Sequence, residues 1–181
     1  MKKSSILILI IICLVGCKKG SNETTITGEI KGLGTDTLYL YGMDELYDRI
    51  DTIYVENDKF SYTTSVDTIT SAYLLLKNRI EYPVFLDKGN KIKIKGDTIN
   101  LNFLTISGNI YNEEFTDFQK ALEDPADPSE KAGEETVDKR ITVEKANTAE
   151  EMAEEFILQH HSSYVSLYLL DKYFVQKETP D

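Results

Sequence analysis

The alternation of apolar and polar residues between residues 24 and 108 is the feature that most constrains the fold of this chain. In residues 91–95, isoleucines and lysines take turns, so one face of an extended segment is apolar and the other is charged. This pattern, with the turn signals between segments, predicts a mainly β fold: a small antiparallel β-sandwich or barrel of about eight strands. The predicted strands are residues 25–31, 37–41, 50–55, 59–64, 72–77, 83–87, 91–95 and 104–107.

The periodicity changes after Gly108, where apolar residues recur at the spacing of a helix. A stripe over residues 110–122 predicts the first helix, and Asn109 or Asn112 is its expected N-cap. Residues 124–135 contain prolines and many acidic residues, and they are predicted as a loop.

Two further helices are predicted toward the C-terminus. A capping-box pattern at residues 148–151 predicts the start of one helix, and Ser162 or Ser163 precedes another that runs from residue 164 to about residue 177. An α-helical C-terminal arm is therefore expected after the β module. The last predicted helix carries an apolar face that needs a covering surface, which is the sheet, a second copy of the chain or another envelope protein. The candidate residues for binding a partner are those of this face: Val165, Leu167, Tyr168, Leu170 and Phe174.

The acidic residues are concentrated in the helical part of the chain. Residues 17–108 carry 13 acidic and 11 basic side chains, whereas residues 109–181 carry 18 and 7. The net charge of the whole chain is -11, which argues against a nucleic-acid partner because phosphate binding requires a basic face. We therefore divide the chain into a β-sandwich module at 24–108 and an acidic helical linker-like region at 109–181.

Residues 1–16 have the composition of a signal peptide. Two lysines precede an apolar run of ten residues, which is too short to cross a bilayer core of about 30 Å as a helix. The run ends in a lipobox-like Leu-Val-Gly-Cys, which predicts cleavage between Gly16 and Cys17 and a lipid on the Cys17 thiol. A lipidated tether at 17–23, the membrane as a partner, and a periplasmic or outer-membrane-associated place in the cell envelope are then expected. A plain hydrophobic anchor is the alternative.

Motifs with chemistry are scarce. No cysteine follows residue 17, which excludes a CxxC redox centre and a Cys-ligated zinc site from the rest of the chain. His160 and His161 are interpreted as a solvated helix end, since adjacent side chains on a helix diverge by about 100°. No catalytic residue, metal site or cofactor is predicted. The lysines at 91, 93 and 95 are candidates for binding anionic headgroups or glycans, or equally for guarding a sheet edge against aggregation.

Several short motifs follow one another in a fixed order, at residues 25–33, 36–41, 50–53, 58–62, 83–90 and 106–109. Their order resembles the domain-of-unknown-function 4369 family over roughly residues 24–122. The resemblance implies a β-rich module of bacterial envelope lipoproteins, which in most members precedes a thioredoxin-like domain joined by a helical linker. The redox cysteines of that domain map to no residue here, so we expect either a shortened paralogue or a product truncated at the linker.

These observations favour a non-enzymatic, lipid-anchored interaction or scaffold module, which binds another envelope protein or a second copy of itself. The alternative is an accessory half of a thiol–disulfide oxidoreductase system that acts with a separate thioredoxin-like protein. A third option is a small ligand stacked on Tyr39, Tyr41, Tyr62 or Tyr73.

Overall fold

Two four-stranded sheets form the body of the protein in the computed structural model, which describes residues 22–43, 45–76, 79–123 and 137–176, with the backbone alone for 137–147. The prediction of a mainly β fold with about eight strands is confirmed, and the sheets form a sandwich. The strands are β1 (Glu23–Lys31), β2 (Asp36–Gly42), β3 (Ile50–Val55), β4 (Lys59–Ser65), β5 (Thr70–Leu76), β6 (Ile80–Leu86), β7 (Lys91–Asp97) and β8 (Thr105–Ser107). Short 3-10 turns lie at Glu45–Tyr47 and Thr98–Asn100.

Sheet 1 has the strand order β4-β1-β7-β8, and sheet 2 has the order β3-β2-β5-β6. All neighbouring strands are antiparallel except β1 and β7, which run parallel with Thr25 opposite Lys91. The alternation predicted a purely antiparallel arrangement, and the parallel pair β1–β7 corrects that part of the prediction. The reason is that the chain builds four strands of sheet 2 and β4 between β1 and β7, and so returns to sheet 1 in the same direction.

Apolar side chains of both sheets alternate inward and form the core. Ile26 and Ile30 of β1 are fully buried, and so are Leu38 and Leu40 of β2 on the opposite sheet. Gly28, between the two isoleucines, also faces inward, and the ring of Phe60 on β4 occupies the space beside it. The period-two pattern of the sequence thus corresponds to one face of each sheet buried against the other.

A hairpin joins the two sheets along one side of the sandwich. Its turn residues, Asn57 and Asp58, have φ values of 51° and 68°, which suits the two-residue turns that connect twisted strands. The carboxylate of Asp58 accepts a hydrogen bond of 2.6 Å from the backbone N–H of Gly34. The β3–β4 connection is thereby fixed to the loop that follows β1.

Helix α1 (Ile110–Glu123) closes the opposite side of the sandwich by bonding to the edge strands of both sheets. The side-chain amide of Asn112 donates to the carbonyl of Phe85 in β6 at 2.8 Å and accepts from the N–H of Phe85 at 3.0 Å. The Thr116 hydroxyl pairs in the same way with the N–H and carbonyl of Ile106 in β8, at 3.0 and 2.9 Å. Asn109 is the N-cap, because its side-chain oxygen accepts from the N–H of Asn112 at 2.9 Å.

Helices α2 (Val137–Gln159) and α3 (Tyr164–Leu170) pack on α1, and a π-helical turn (Asp171–Val175) follows α3. The predicted helix start at residues 148–151 is wrong, because α2 begins eleven residues before Thr148. The predicted loop at 124–135 lies outside the described residues. Ala153, Val165 and Leu169 are buried in the same core as the strands. The boundary at Gly108 therefore marks a change of secondary structure within one core.

Candidate interaction surfaces

The predicted N-terminal sites, Gly16 and Cys17, lie outside the residues that the structure describes. The described chain begins at Asn22, and β1 begins one residue later, at Glu23. Cleavage after Gly16 and lipidation of Cys17 therefore stay predictions. Among the described residues, no helix is both long and apolar enough to span a membrane.

The predicted apolar face of the last helix is divided by the structure into a buried side and an exposed side. Val165 and Tyr168 are buried, whereas Leu167, Leu170 and Phe174 are 62%, 43% and 36% exposed. Positions three and four apart share a helix face, which places Val165 with Tyr168 and Leu167 with Leu170. The expectation of one five-residue binding face thus needs correction, because only three of its members are accessible.

Contacts on the buried side fix α3 against the outer face of sheet 2 and against α1. The Tyr168 ring lies 6.2 Å from the ring of Phe85 in β6 and 5.3 Å from that of Phe115 in α1. Burial raises the pKa of Tyr168. The Ser163 hydroxyl accepts from the N–H of Val165 at 3.1 Å and donates to Glu114 at 2.5 Å. The exposed side of α3 is therefore held in a defined orientation.

Tyrosines cover the part of the outer face of sheet 2 that the helices leave open. Tyr41 of β2 and Tyr73 of β5 are register partners, and their ring centroids are 5.7 Å apart. Tyr39 lies two residues before Tyr41 on the same side of β2. Tyr54 on β3 is 73% exposed. Tyr62 is not part of this face, since it lies on sheet 1, where burial and a hydrogen bond with Asp51 raise its pKa to about 12. Three of the four predicted stacking tyrosines thus come together.

The outer face of sheet 1 carries the lysine row of β7. The parallel register places Thr25, Thr27 and Glu29 of β1 opposite Lys91, Lys93 and Lys95, while Ser107 and Thr105 of β8 stand opposite the last two. Because β7 lies inside the sheet, the interpretation of these lysines as an edge guard is wrong. A shallow cleft of about 500 Å³ opens at the far end of the row, with Lys31, Lys95 and Asn100 among its lining residues.

A second cleft, of about 330 Å³, lies between α1 and α2. Phe118, Met152 and Phe156 line its floor, and His160 stacks on Phe156 with ring centroids 4.2 Å apart. The Nδ1 atom of His160 lies 3.1 Å from the carbonyl oxygen of Phe156 at the end of α2. Within the part of the chain that the structure describes, no group of three or more His, Cys, Asp or Glu side chains is arranged to hold a metal ion.

A polar cluster near the start of β3 has no counterpart in the sequence predictions. Arg49 lies over the ring of Tyr47 at 4.5 Å and donates to Asp51 at 3.2 Å and to the Ser65 carbonyl at 3.0 Å. Thr64 accepts a further bond from Arg49. The cluster links β3 to β4 at the end of the sandwich, and spacing alone did not indicate it, because its members come from two strands and a turn.

A comparison with protein families identifies the family of this chain. Residues 24–115 match the family model described as a domain of unknown function, DUF4369. The match begins at the second residue of β1, includes the other seven strands and ends at Phe115 in α1. It therefore includes Asn112, whose side chain bonds to the edge strand β6. No curated protein matches the chain. Because the family model covers more than half of the sequence, the chain belongs to the DUF4369 family.

Proposed function

We propose that this protein is a non-catalytic interaction module, anchored in the bacterial cell envelope by a lipid on Cys17, which docks another envelope protein on the exposed side of α3. The observation that carries the proposal is the exposure of Leu167 and Leu170 on α3, and of Phe174 on the π-helical turn that follows it, while the other side of α3 is buried. Apolar side chains grouped on a surface are typical of a binding site.

The anchor rests on the sequence of the N-terminus. The apolar run followed by Leu-Val-Gly-Cys is the pattern that directs a chain to lipidation, and multiple acyl chains hold a protein stably on a membrane. The polar residues after Cys17 then serve as a short tether, and β1 begins at Glu23. A periplasmic or outer-membrane-associated location follows from this proposal.

The docking side is supported by its rigidity and by its charge. Contacts of Tyr168 and Ser163 hold α3 in place, so little conformational entropy is lost when a partner binds its outer side. The described side chains of residues 109–123 and 148–176 comprise nine acidic and two basic ones. Asp171 follows directly after Leu170, and the next residue, Lys172, lies over the ring of Tyr168. The partner that fits is a protein with an apolar patch flanked by basic side chains, because complementary charge favours the correct encounter.

Site-specific photo-crosslinking in membranes tests the proposal. A photoreactive amino acid at position 170 or 174 is expected to capture the same protein, whereas the same group at position 158 is not. Leu158 of α2 is 73% exposed and apolar, so it is a matched control for surface hydrophobicity. Equal capture at 158 and 170, or no capture at either, contradicts the proposal.

The captured protein is then purified and its affinity measured. The Leu170→Glu/Phe174→Glu variant is expected to weaken binding by about tenfold or more, while Leu158→Glu leaves it unchanged. Both altered residues are exposed, so unfolding curves should match those of the parent protein. A captured second copy would indicate self-association, and a CxxC-containing thioredoxin-like partner would indicate the accessory role in thiol–disulfide exchange.

A further inference from the structure

We propose that the outer face of sheet 1 rests on an anionic phospholipid bilayer, so that the protein has a fixed orientation on the membrane. We call this surface the lysine face; its cationic members are Lys31, Lys59, Lys91, Lys93 and Lys95. The inference rests on the proposed lipid anchor for its geometry, whereas the affinity of the lysine face for anionic lipid is a property of the folded chain alone.

The charge of the lysine face is opposite to that of the whole protein. Its acidic members are Glu23, Glu29 and Asp97, which the five lysines outnumber, although the chain as a whole carries a net charge of -11. The carboxylate of Asp97 accepts a hydrogen bond from the N–H of Ile99 at 2.9 Å, and Glu29 lies 4.0 Å from Lys59. Basic residues are thus gathered on one sheet surface of an acidic protein.

Two of the three lysines of β7 have hydroxyl side chains as their cross-strand neighbours, whereas Lys95 stands between Glu29 and Thr105. Lys91 stands opposite Thr25, and Lys93 stands between Thr27 and Ser107. Among the described residues, Lys91, Lys93 and Lys95 form no ion pair within 4.0 Å. All three side chains are exposed and point to the same side of β7. Their charges are available to a ligand, and a flat row of them matches a surface of phosphate groups better than a single small anion.

The tether joins sheet 1 at the end where the lysine row of β7 begins. Residues 17–22 separate the proposed lipid from β1, and six residues span at most about 20 Å when extended. Because β1 and β7 are parallel, both strands start at this end, and Lys91 is the register partner of Thr25, two residues into β1. A lipid on Cys17 therefore holds the lysine face within reach of the headgroups.

The remaining charge of the protein favours the same orientation. α3 covers part of the outer face of sheet 2, on the opposite side of the sandwich from the lysine face. The described side chains of residues 109–123 and 148–176, which include α3, comprise nine acidic and two basic ones. An anionic bilayer attracts the lysine face and repels this region, which turns Leu167 and Leu170 away from the lipid and toward a partner.

Lysine footprinting of the lipidated protein in nanodiscs tests the orientation directly. In discs that contain phosphatidylglycerol, we expect acetylation of Lys91, Lys93 and Lys95 to slow by about fivefold or more relative to discs of phosphatidylcholine alone. Lys120 in α1 and Lys172 in the π-helical turn are the internal controls, and their acetylation should not change. Equal labelling of all five lysines in both discs overturns the proposal.

Vesicle sedimentation of residues 18–181, which lack both Cys17 and the apolar run and include every described strand and helix, tests the affinity of the lysine face without the anchor. Binding to phosphatidylglycerol vesicles at low salt is expected to fall by about tenfold in Lys93→Glu/Lys95→Glu and to be lost at high salt. Lys120→Glu/Lys172→Glu makes the same change in net charge and should bind like the parent chain. Equal weakening by both double variants, or equal binding to phosphatidylcholine, contradicts the proposal.

The two proposals fail in different ways. If the full precursor incorporates no labelled fatty acid in cells, the lipid anchor is wrong, but preferential sedimentation of residues 18–181 with phosphatidylglycerol still supports the lysine face. If lipidation is found and the footprint does not depend on the lipid charge, the anchor stands and the lysine face is not a membrane surface. Saturable protection of Lys95 by inorganic phosphate, without vesicles, would indicate a small-anion site and overturn the membrane proposal.

Discussion

Gly28 shows how a missing side chain can hold two strands in register. It is the register partner of Phe60, and a Cβ atom at position 28 would overlap the Phe60 ring. The ring lies over the glycine, so the pair fills the core with one large and one absent side chain. The glycine is part of the motif by which the sequence resembles its family. However, the residue that requires a glycine at this position is Phe60, which lies 32 residues further along the chain and becomes its neighbour only in the folded sheet.

We predict that Gly28→Ala lowers the free energy of unfolding by about 2 kcal/mol, because overpacking of a closed core displaces the Phe60 ring. Urea unfolding curves measure the change. Phe60→Leu in the Gly28→Ala background should restore part of the loss, since it frees the space that the new methyl group needs. Ser61→Ala is the control, because Ser61 lies on the exposed side of β4 next to Phe60; its expected change is below about 0.5 kcal/mol. Unchanged stability of Gly28→Ala would disprove the packing argument.

At the scale of elements, α1 covers one edge strand of each sheet and bonds to backbone groups of both strands. Asn112 and Thr116 lie one turn apart, and each pairs with both backbone groups of one residue in an edge strand. Edge strands expose unpaired backbone groups that invite aggregation, and covering them with a helix is one of the ways in which proteins prevent it. The apolar residues of α1 fill the core, and its polar residues complete the sheets.

We predict that Asn112→Ala lowers the free energy of unfolding by about 2 kcal/mol, because it leaves the buried N–H of Phe85 without its side-chain acceptor, whereas the Phe85 carbonyl keeps the hydrogen bond that Asn109 donates at 2.8 Å. Faster hydrogen exchange of the Phe85 amide should accompany the loss. Asn100→Ala is the matched control: its amide donates to Glu123 at 2.8 Å on the exposed surface, and its removal should cost less than about 0.5 kcal/mol. A similar loss from both variants would contradict the assigned role.

The elements were predictable from the sequence where the signal is local, and they were not where it depends on distant partners. The alternation of residues 91–95 predicted β7, but the position of β7 inside the sheet depends on pairing with β1. The Thr148 pattern is found inside α2 because a capping sequence is also compatible with a helix interior, and the helix continues to Val137. Helix spacing predicted that α3 is amphipathic, but the surface against which it packs decided which of its apolar residues are buried.

At the scale of the whole molecule, folding raises the pKa values of several tyrosine hydroxyl groups. Burial is the main cause that raises the pKa values of several tyrosines, and it is reinforced at Tyr41 by a hydrogen bond with Glu81. Hydrogen bonding to Asp51 and burial raise the pKa of Tyr62 to about 12. The other tyrosines with raised pKa values are Tyr47, Tyr73, Tyr82, Tyr168 and Tyr173.

We predict that the protein loses stability as the pH rises from about 10 to about 12. Below this range, these tyrosines are protonated in both states, so they add no pH dependence. Within it, the unfolded chain releases tyrosine protons that the folded chain retains, so the free energy of unfolding falls. Urea unfolding at increasing pH and the ultraviolet absorbance of tyrosinate measure the effect. Tyr62→Phe should reduce the slope relative to the parent protein, because it removes one of these tyrosines; an unchanged slope would contradict the prediction.

The central position of β1 has a mechanical consequence. The strand is paired with β4 over residues 23–29 and with β7 over residues 25–31, so both of its edges are bonded. The proposed anchor at Cys17 would transmit any pulling force to the N-terminal end of β1, along the strand axis. Because the ladder hydrogen bonds lie across that axis, the load shears both ladders together and does not open them one bond at a time. The strand that receives the load from the proposed anchor would therefore also be the one most resistant to extraction.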